Sequence, residues 1–185
     1  MKPKKKWILS DTNSILRAKT SEVTFPLSEK ELEYIEKMVC YVDASYFKTV
    51  NNIKPGIAIA ANQIGLKKNI IYIHFDEKDV EHKYLLANPI IVSESPTYSY
   101  LPHGEGCLSV EENHAGIVKR KYKIVVKAKD LLHNNNDLTI EATGMLSICL
   151  QHEIDHLFGI LYYDRINKEN PFMVDEKWIP VGSNV

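Results

Sequence analysis

The stretch Gln151-His152-Glu153-Ile154-Asp155-His156 restricts the fold more than any other part of the chain. On a helix, residues four apart stack on one face about 6 Å from each other. His152 and His156 can therefore grip one cation, and Glu153 leans toward the same ion. The flanking pattern predicts a helix from about Gly144 to Phe158, with Thr143 as N-cap and Gly159 as its left-handed stop. Met145, Ile148, Cys149, His152 and His156 share a face of it, so the imidazoles are expected on the core side. A helix with ion-binding groups on its buried side has to be wrapped by other elements, and one of them must supply a further donor.

Those elements are legible upstream. Ser28-Glu29-Lys30-Glu31 reads as a capping box opening an N-terminal helix, with Leu32, Ile35, Val39, Val42 and Tyr46 at helical spacing along one side. Cys40, at the edge of that stripe, reads as a small buried hydrophobe. Strand-like runs follow at Ile70 to Phe75, Lys83 to Ala87, Ile90 to Val92, Ile117 to Ala128 and Leu138 to Ala142. Turn signals at Asn88-Pro89, Ser95-Pro96 and Asn134 to Asp137 separate them. Tyr122 to Asp130 alternates in part, as a half-exposed antiparallel strand does. Strands followed by a buried helix, without regular alternation, predict an α+β fold: antiparallel and mixed sheets around a central helix, plus the N-terminal helix.

The 185 residues, 44% of them hydrophobic, suffice for one domain with a sizeable core, and no repeat or linker divides them. We read 1–185 as a single catalytic domain, with an arm over about 1–7 and a tail over about 171–185. A net charge of −1 opposes general nucleic-acid binding, and Lys4-Lys5-Lys6 reads as a solvated run. Trp7-Ile8-Leu9 is too short for a signal-peptide core, and no stretch has the length of a membrane span. Three well-separated cysteines, Cys40, Cys107 and Cys149, suit a reducing compartment, so a cytoplasmic protein is expected.

The further donor has few candidates. Cys149 lies seven residues from His156, roughly 10 Å along a helix, too far to share an ion comfortably, and reads as a wall. In His103 to Val110, Gly104 and Gly106 let the backbone pass close to a neighbour, and Cys107 could complete a Cys-His-His site with one position open for water. His103 is the rival, and residue types alone do not choose between them. Gly104-Glu105-Gly106-Cys107-Leu108-Ser109 falls one residue short of a dinucleotide-binding fingerprint, and no amphipathic helix follows it. No P-loop or nucleophile elbow occurs. Gly56 to Gly65 alternates small residues with Ile57 and Ile59 before Asn62-Gln63 interrupts. It reads either as a crowded strand edge or as backbone beside which a ligand strand lies, with an amide placed at the reacting atom.

Three segments together resemble the peptide deformylases, whose motifs are G-x-G-x-A-A-x-Q, E-G-C-L-S and Q-H-E-x-D-H. Here they stand as Gly56 to Gln63, Glu105 to Ser109 and Gln151 to His156, in order, within a similarity running from about Ile8 to Asn170. Ala58 replaces the usual second Gly. The segment from Tyr72 to Leu101, and a tail without an evident long helix, resemble the second class, found in Gram-positive bacteria and mollicutes.

The resemblance implies a metal-dependent hydrolase that removes the formyl group from N-terminal formylmethionine of nascent polypeptides, releasing formate in the bacterial cytoplasm. It implies Cys107, His152 and His156 as ligands of one divalent ion, Fe(2+) physiologically, with Zn, Ni or Co able to use the same donors. Glu153 then moves the proton, while Gln63 and the Leu108 N–H stabilise the oxyanion. Glu105 pairs with Arg120 to steady the Cys107 loop. Gly56, Ile57 and Ala58 line the peptide, and Met145, Ile148 and Cys149 wall the methionine pocket. Asp155 acquires no role. The expected partners are formylmethionyl peptides and the ribosome near its exit tunnel, with the enzyme monomeric and free of membrane and sequence-specific nucleic acid. A zinc endopeptidase would also use H-E-x-x-H, but it would leave E-G-C-L-S unexplained, and no third-ligand motif follows Gly159. A non-catalytic metal-binding relative would have no use for Glu153.

Overall fold

The computed structural model describes residues 1–182; the end of the expected tail, 183–185, lies outside the described residues. Ser28 opens helix α1 (Glu29–Tyr46) through a complete capping box, its hydroxyl accepting from the Glu31 N–H while the Glu31 carboxylate accepts from the Ser28 N–H. The buried stripe of α1 differs from the expected one. Ile35 and Val42 are in the core with Met38 and Tyr41, but Leu32 is 47% exposed and Val39 and Tyr46 are half-buried. Five residues at helical spacing fit two overlapping faces, and Met38 and Tyr41 offer the larger apolar surface. Cys40 is also half-buried, its Sγ against the Met1 carbonyl.

The strands are β1 (Ala58–Ala60), β2 (Ile70–Glu77), β3 (Val80–Glu94), β4 (Tyr98–Tyr100), β5 (Arg120–Lys121), β6 (Lys123–Asp130), β7 (Asn136–Thr143) and β8 (Ile179–Pro180), with helix α2 (Gly144–Leu157) between the last two. A five-stranded antiparallel sheet has the order β1-β2-β3-β6-β7, and a three-stranded mixed sheet the order β5-β4-β8. This is an α+β fold. The expected pair of strands around Asn88-Pro89 is one strand, β3, because the turn signal is absorbed as a bulge: the register against β6 shifts between Ala87 and Ile90, with Asn88 left-handed at φ 51°. The long run from Ile117 divides into β5 and β6, which pair in different sheets. The short strands β4 and β8 carry too few residues for a period to show.

Side-chain alternation along β2 explains the layers. Ile71, Ile73 and Phe75 face α2 and pack with Leu146, Leu150, Ile154 and Leu157. Ile70 and Tyr72 face the opposite way and pack with Ile35, Met38, Tyr41 and Val42 of α1. The run Ile70–Phe75 is largely apolar because helices cover both faces of the sheet there; His74 interrupts it, its buried ring held by Asp43 and Glu81. Each such fully buried Leu or Ile contributes about 1.5–3 kcal/mol. Of the expected arm, the lysines are exposed, yet Trp7 packs on the α1 cluster.

Helix α2 starts and stops where its sequence predicts. Thr143 occupies the N-cap without a side-chain cap bond, however, so only its extended backbone marks the boundary. Gly159 is left-handed at φ 74°, and a Cβ there would meet the Arg17 carbonyl oxygen at 2.4 Å. Chain reversal and close packing both require glycine at this point.

The capping box makes α1 sensitive to acid. The Ser28 N–H and hydroxyl hold the Glu31 carboxyl below its ordinary value. Its contribution is therefore complete above the unfolded carboxylate pKa, about 4.3, and is lost as pH falls through the depressed folded value. Ser28→Ala is expected to cost about 1 kcal/mol in urea unfolding at pH 7, a difference that narrows as the unfolding is repeated at progressively more acid pH.

Candidate metal centre and groove

Two elements bring the ion-binding groups together. Helix α2 presents His152 and His156 one turn apart, and the loop between β4 and β5 carries Cys107 against them. One donor atom from each of Cys107, His152 and His156 lies within 4.8 Å of the others, and among the described residues no other group of three converges in this way. Cys107 Sγ is 3.3 Å from His156 Nε2. Donors held 2.0–2.3 Å from one ion stand at most about 4.5 Å apart, so the spacing suits a single divalent cation. His103 is exposed and outside the group, and Cys149 lines the cavity without joining it.

The orientation of His152 follows from its other nitrogen. Nδ1 donates to Glu105 Oε2 at 2.8 Å, so in the neutral imidazole that binds an ion the lone pair sits on Nε2, turned toward the cluster. Burial pushes the Glu105 carboxyl up, but the Arg120 charge and hydrogen bonds overcome it and hold the group at about 2. Arg120, 2% exposed, grips Glu105 through Nε and Nη2 at 2.8 and 2.9 Å. Its third arm reaches Asp155, which also accepts two bonds from Arg165. Asp155 thereby gains the place the sequence did not provide: it ties the last turn of α2 to Arg120 on β5 and to the chain after the helix. Burial, helped by the Arg120 charge, lowers the proton affinity of His156 well below the usual range, which favours the neutral imidazole that binds metal.

Glu153 is 4% exposed and lines the same cavity, and its Oε2 has no hydrogen-bond partner in the protein. Burial raises its carboxyl to about 7. A buried carboxylate without a partner is costly unless something in the site uses it. The donor set, the oriented His152 and this unpaired acid fit a divalent ion bound by Cys107, His152 and His156.

The cavity, about 370 Å³, is lined on one side by Gly56, Ile57 and Ala58 and on another by Met145, Ile148 and Cys149, with Gln63, Leu108 and Glu153 between them. Strand β1 is an outer edge of its sheet. The His74 N–H donates to the Ile57 carbonyl at 2.8 Å, so alternation turns the N–H and C=O of Ala58 away from β2 toward the open edge. Farther along that edge the Ala60 N–H is taken by Gln63 Oε1 at 2.8 Å. The same bond aims Gln63 Nε2 at Ser109 Oγ, 3.1 Å away, and Cys107 Sγ, 3.4 Å away. Gly56 makes room for Leu108: a Cβ there would stand 2.7 Å from the Leu108 side chain, which would have to move. Sequence reasoning passed over Asn62, whose Nδ2 bonds the His156 carbonyl, and Lys54, whose ammonium bonds the Cys107 carbonyl at 2.8 Å. A polar residue inside the apolar Ile57–Ile64 run was the available signal for Asn62; Lys54 had none.

Removing the centre of the buried charge network should be severe. Arg120→Met leaves Glu105 and Asp155 without their shared cation and is expected to cost about 3–5 kcal/mol in urea unfolding. An exposed pair such as Lys123–Glu141, broken by Lys123→Met as a control, is expected to cost under about 1 kcal/mol.

The family model of polypeptide deformylases matches residues 5–172. A peptide deformylase of Malacoplasma penetrans is 45% identical over 178 residues, covering 95% of each chain. Peptide deformylase 2 of Bacillus anthracis is 39% identical over 169 residues, 89% of this chain and 91% of that one. The crystal structure of the Ehrlichia chaffeensis peptide deformylase superposes with a TM-score of 0.73 at 28% identity, over 88% of both chains. The relatives include mollicute proteins and a Bacillus type 2 enzyme, in keeping with the second-class features of the sequence. The chain belongs to the polypeptide deformylase family.

Proposed function

We infer that this chain hydrolyses the N-formyl group from the N-terminal formylmethionine of new polypeptides, releasing formate, at the centre formed by Cys107, His152, His156 and Glu153. The observation that carries this reading is the unpaired Glu153 carboxylate, buried beside three converging metal donors at an open strand edge. An ion held there acts as a Lewis acid and makes water acidic enough to be deprotonated near neutral pH. One thiolate and two imidazoles are borderline donors, suited to Fe(2+) as the physiological ion and to Zn, Ni or Co in a purified sample.

The side chains divide the remaining work. Glu153 accepts the proton of the attacking water and returns it to the departing amine. The Gln63 amide and the Leu108 N–H donate to the oxygen that becomes negative as the formyl carbon turns tetrahedral. Gln63 is already held by the Ala60 N–H, so to serve it has only to turn the Nε2 hydrogen now shared with Cys107 Sγ toward the oxyanion. The peptide lies extended along Gly56, Ile57 and Ala58, bonded through the outward-turned main-chain groups of Ala58. Met145, Ile148 and Cys149 enclose its first side chain. Glu105 and Arg120 keep His152 and the Cys107 loop in register.

The site is complete within one chain, so the proposed hydrolysis needs no residue from a second copy. The enzyme's substrates arise on cytoplasmic ribosomes, so it meets them near the exit tunnel. Among the described residues no α-helix follows α2. No helix is long and apolar enough to cross a membrane.

Protein purified anaerobically is expected to hold one ion per chain and to release formate from formyl-Met-Ala without cleaving an unformylated protein, the outcome that separates it from an endopeptidase. Glu153→Gln should retain the ion and lose the activity. Gln63→Leu should lower kcat/KM by about 10²-fold, near 3 kcal/mol of transition-state stabilisation. Full activity in Glu153→Gln would remove the proton-transfer role.

A further inference from the structure

Lys54 stands on the strap between α1 and β1, and that strap is held from behind. The Tyr41 hydroxyl donates to the Lys54 carbonyl at 3.4 Å, and the Gly56 N–H donates to Ser45 Oγ at 2.9 Å. Pro55 between the two anchors leaves the backbone little freedom. The Lys54 side chain crosses to the loop of Cys107 and closes a turn there. The Val110 N–H donates to the Cys107 carbonyl at 3.3 Å, and Lys54 Nζ donates to that same carbonyl at 2.8 Å and to the Val110 carbonyl as well. Both lone pairs of the Cys107 carbonyl are thus in use, one of them by a cation.

That carbonyl belongs to the peptide unit whose N–H is on Leu108. A hydrogen bond from a full positive charge is about twice as strong as one from a neutral donor. It draws electron density toward the carbonyl oxygen and leaves the N–H at the other end of the conjugated unit more positive. Linked hydrogen bonds strengthen one another in this way, by roughly 10–30% per bond, and more inside a low-dielectric site. We propose that Lys54 is a positioning residue for the hydrolysis: its ammonium, bonded to the Cys107 carbonyl, fixes and polarises the Cys107–Leu108 peptide so that the Leu108 N–H becomes a stronger donor to the oxyanion. This rests on the assignment of the Leu108 N–H to the oxyanion under the proposed function. The Lys54 side chain also lines the cavity, but two of its three N–H donors are committed to these carbonyls, so its part here is played through the peptide unit, and an unchanged KM separates that part from substrate binding. Through Gly56, whose missing Cβ admits the Leu108 side chain, the same strap also sets where Leu108 sits.

The test uses zinc-loaded full-length protein. Lys54→Met removes the charge and keeps the length of the side chain; Lys54→Arg keeps the charge. In Lys54→Met, kcat for formyl-Met-Ala is expected to fall about tenfold, a fraction of the cost of deleting a whole oxyanion donor. KM should stay within roughly twofold and zinc at one per chain. The Leu108 amide proton, observed by NMR in 15N-labelled protein, should move upfield, and Lys54→Arg should restore most of kcat and the amide position. A mere loop tether would instead lose zinc and activity in proportion and leave the Leu108 proton of the loaded fraction in place, which overturns the proposal. An unchanged kcat in Lys54→Met overturns it too. If Gln63→Leu is silent as well, the oxyanion assignment falls with it, whereas a silent Lys54→Met beside a damaging Gln63→Leu removes the polarisation alone. Should Lys54→Met fail to fold, Lys54→Gln, neutral but polar, is read in the same way.

Discussion

The buried ion pair of Glu105 with Arg120 is the constraint on which the rest of the centre depends. Taking two charges out of water is costly, and the geometry here offsets the cost in the available way: a bidentate grip, with the remaining donors and acceptors satisfied by Asp155 and His152. Such pairs do not as a rule add net stability over apolar residues of the same size. Their use here is positional. Glu105 lies two residues before Cys107 and bonds His152, so one carboxylate sets the loop that brings sulfur and the ring that brings nitrogen. Asp155 extends the network along α2, one residue before His156. Motifs that are distant in the chain become one rigid body through a single guanidinium.

Helix α2 serves as core and as active surface at once. Leu146, Leu150, Ile154 and Leu157 fasten it to the large sheet, while Met145, Ile148, His152 and Glu153 face the cavity. The same close packing that stabilises the fold therefore fixes the donors against rotation. It also keeps Glu153 out of water, and the buried carboxyl, raised to about 7, offsets the cost by readily holding a proton.

Much of this was legible before any coordinates. The H-E-x-x-H spacing, the apolar face of α2 and its glycine stop predicted the helix, because each is a local rule obeyed locally. The capping box of α1 succeeded for the same reason. The failures came where tertiary contacts decide. Leu32 fits the stripe of α1 and is exposed, since Met38 and Tyr41 present more surface to β2. Asn88-Pro89 carries a turn signal and sits within a strand, because its neighbours pair on both sides and the extra residue bulges. Residue types left Cys107 and His103 level as ligands. The family resemblance chose between them, and the physical reason is that the loop turns Cys107 inward and leaves His103 in solvent. Lys54 was invisible and Asp155, though part of a motif, had no role, as Cys107 and Arg120 lie 53 and 35 residues from them and no periodicity encodes such a pairing.

Ala58 tests how far the groove depends on its usual glycine. In a strand, side chains stand perpendicular to the sheet while main-chain bonds run within its plane. The methyl of Ala58 packs in the cluster beneath α2 with Ile71 and Ile73. It reaches the floor of the cavity from that face, whereas the N–H and C=O that would bond a peptide strand leave by the edge. If the peptide lies along this edge as proposed, alanine in place of glycine narrows the space under the first side chain and leaves the main-chain groups of the edge free to bond. An enzyme that reads one side chain closely and the following chain only through its backbone can absorb such a change in the pocket without losing its range of polypeptides.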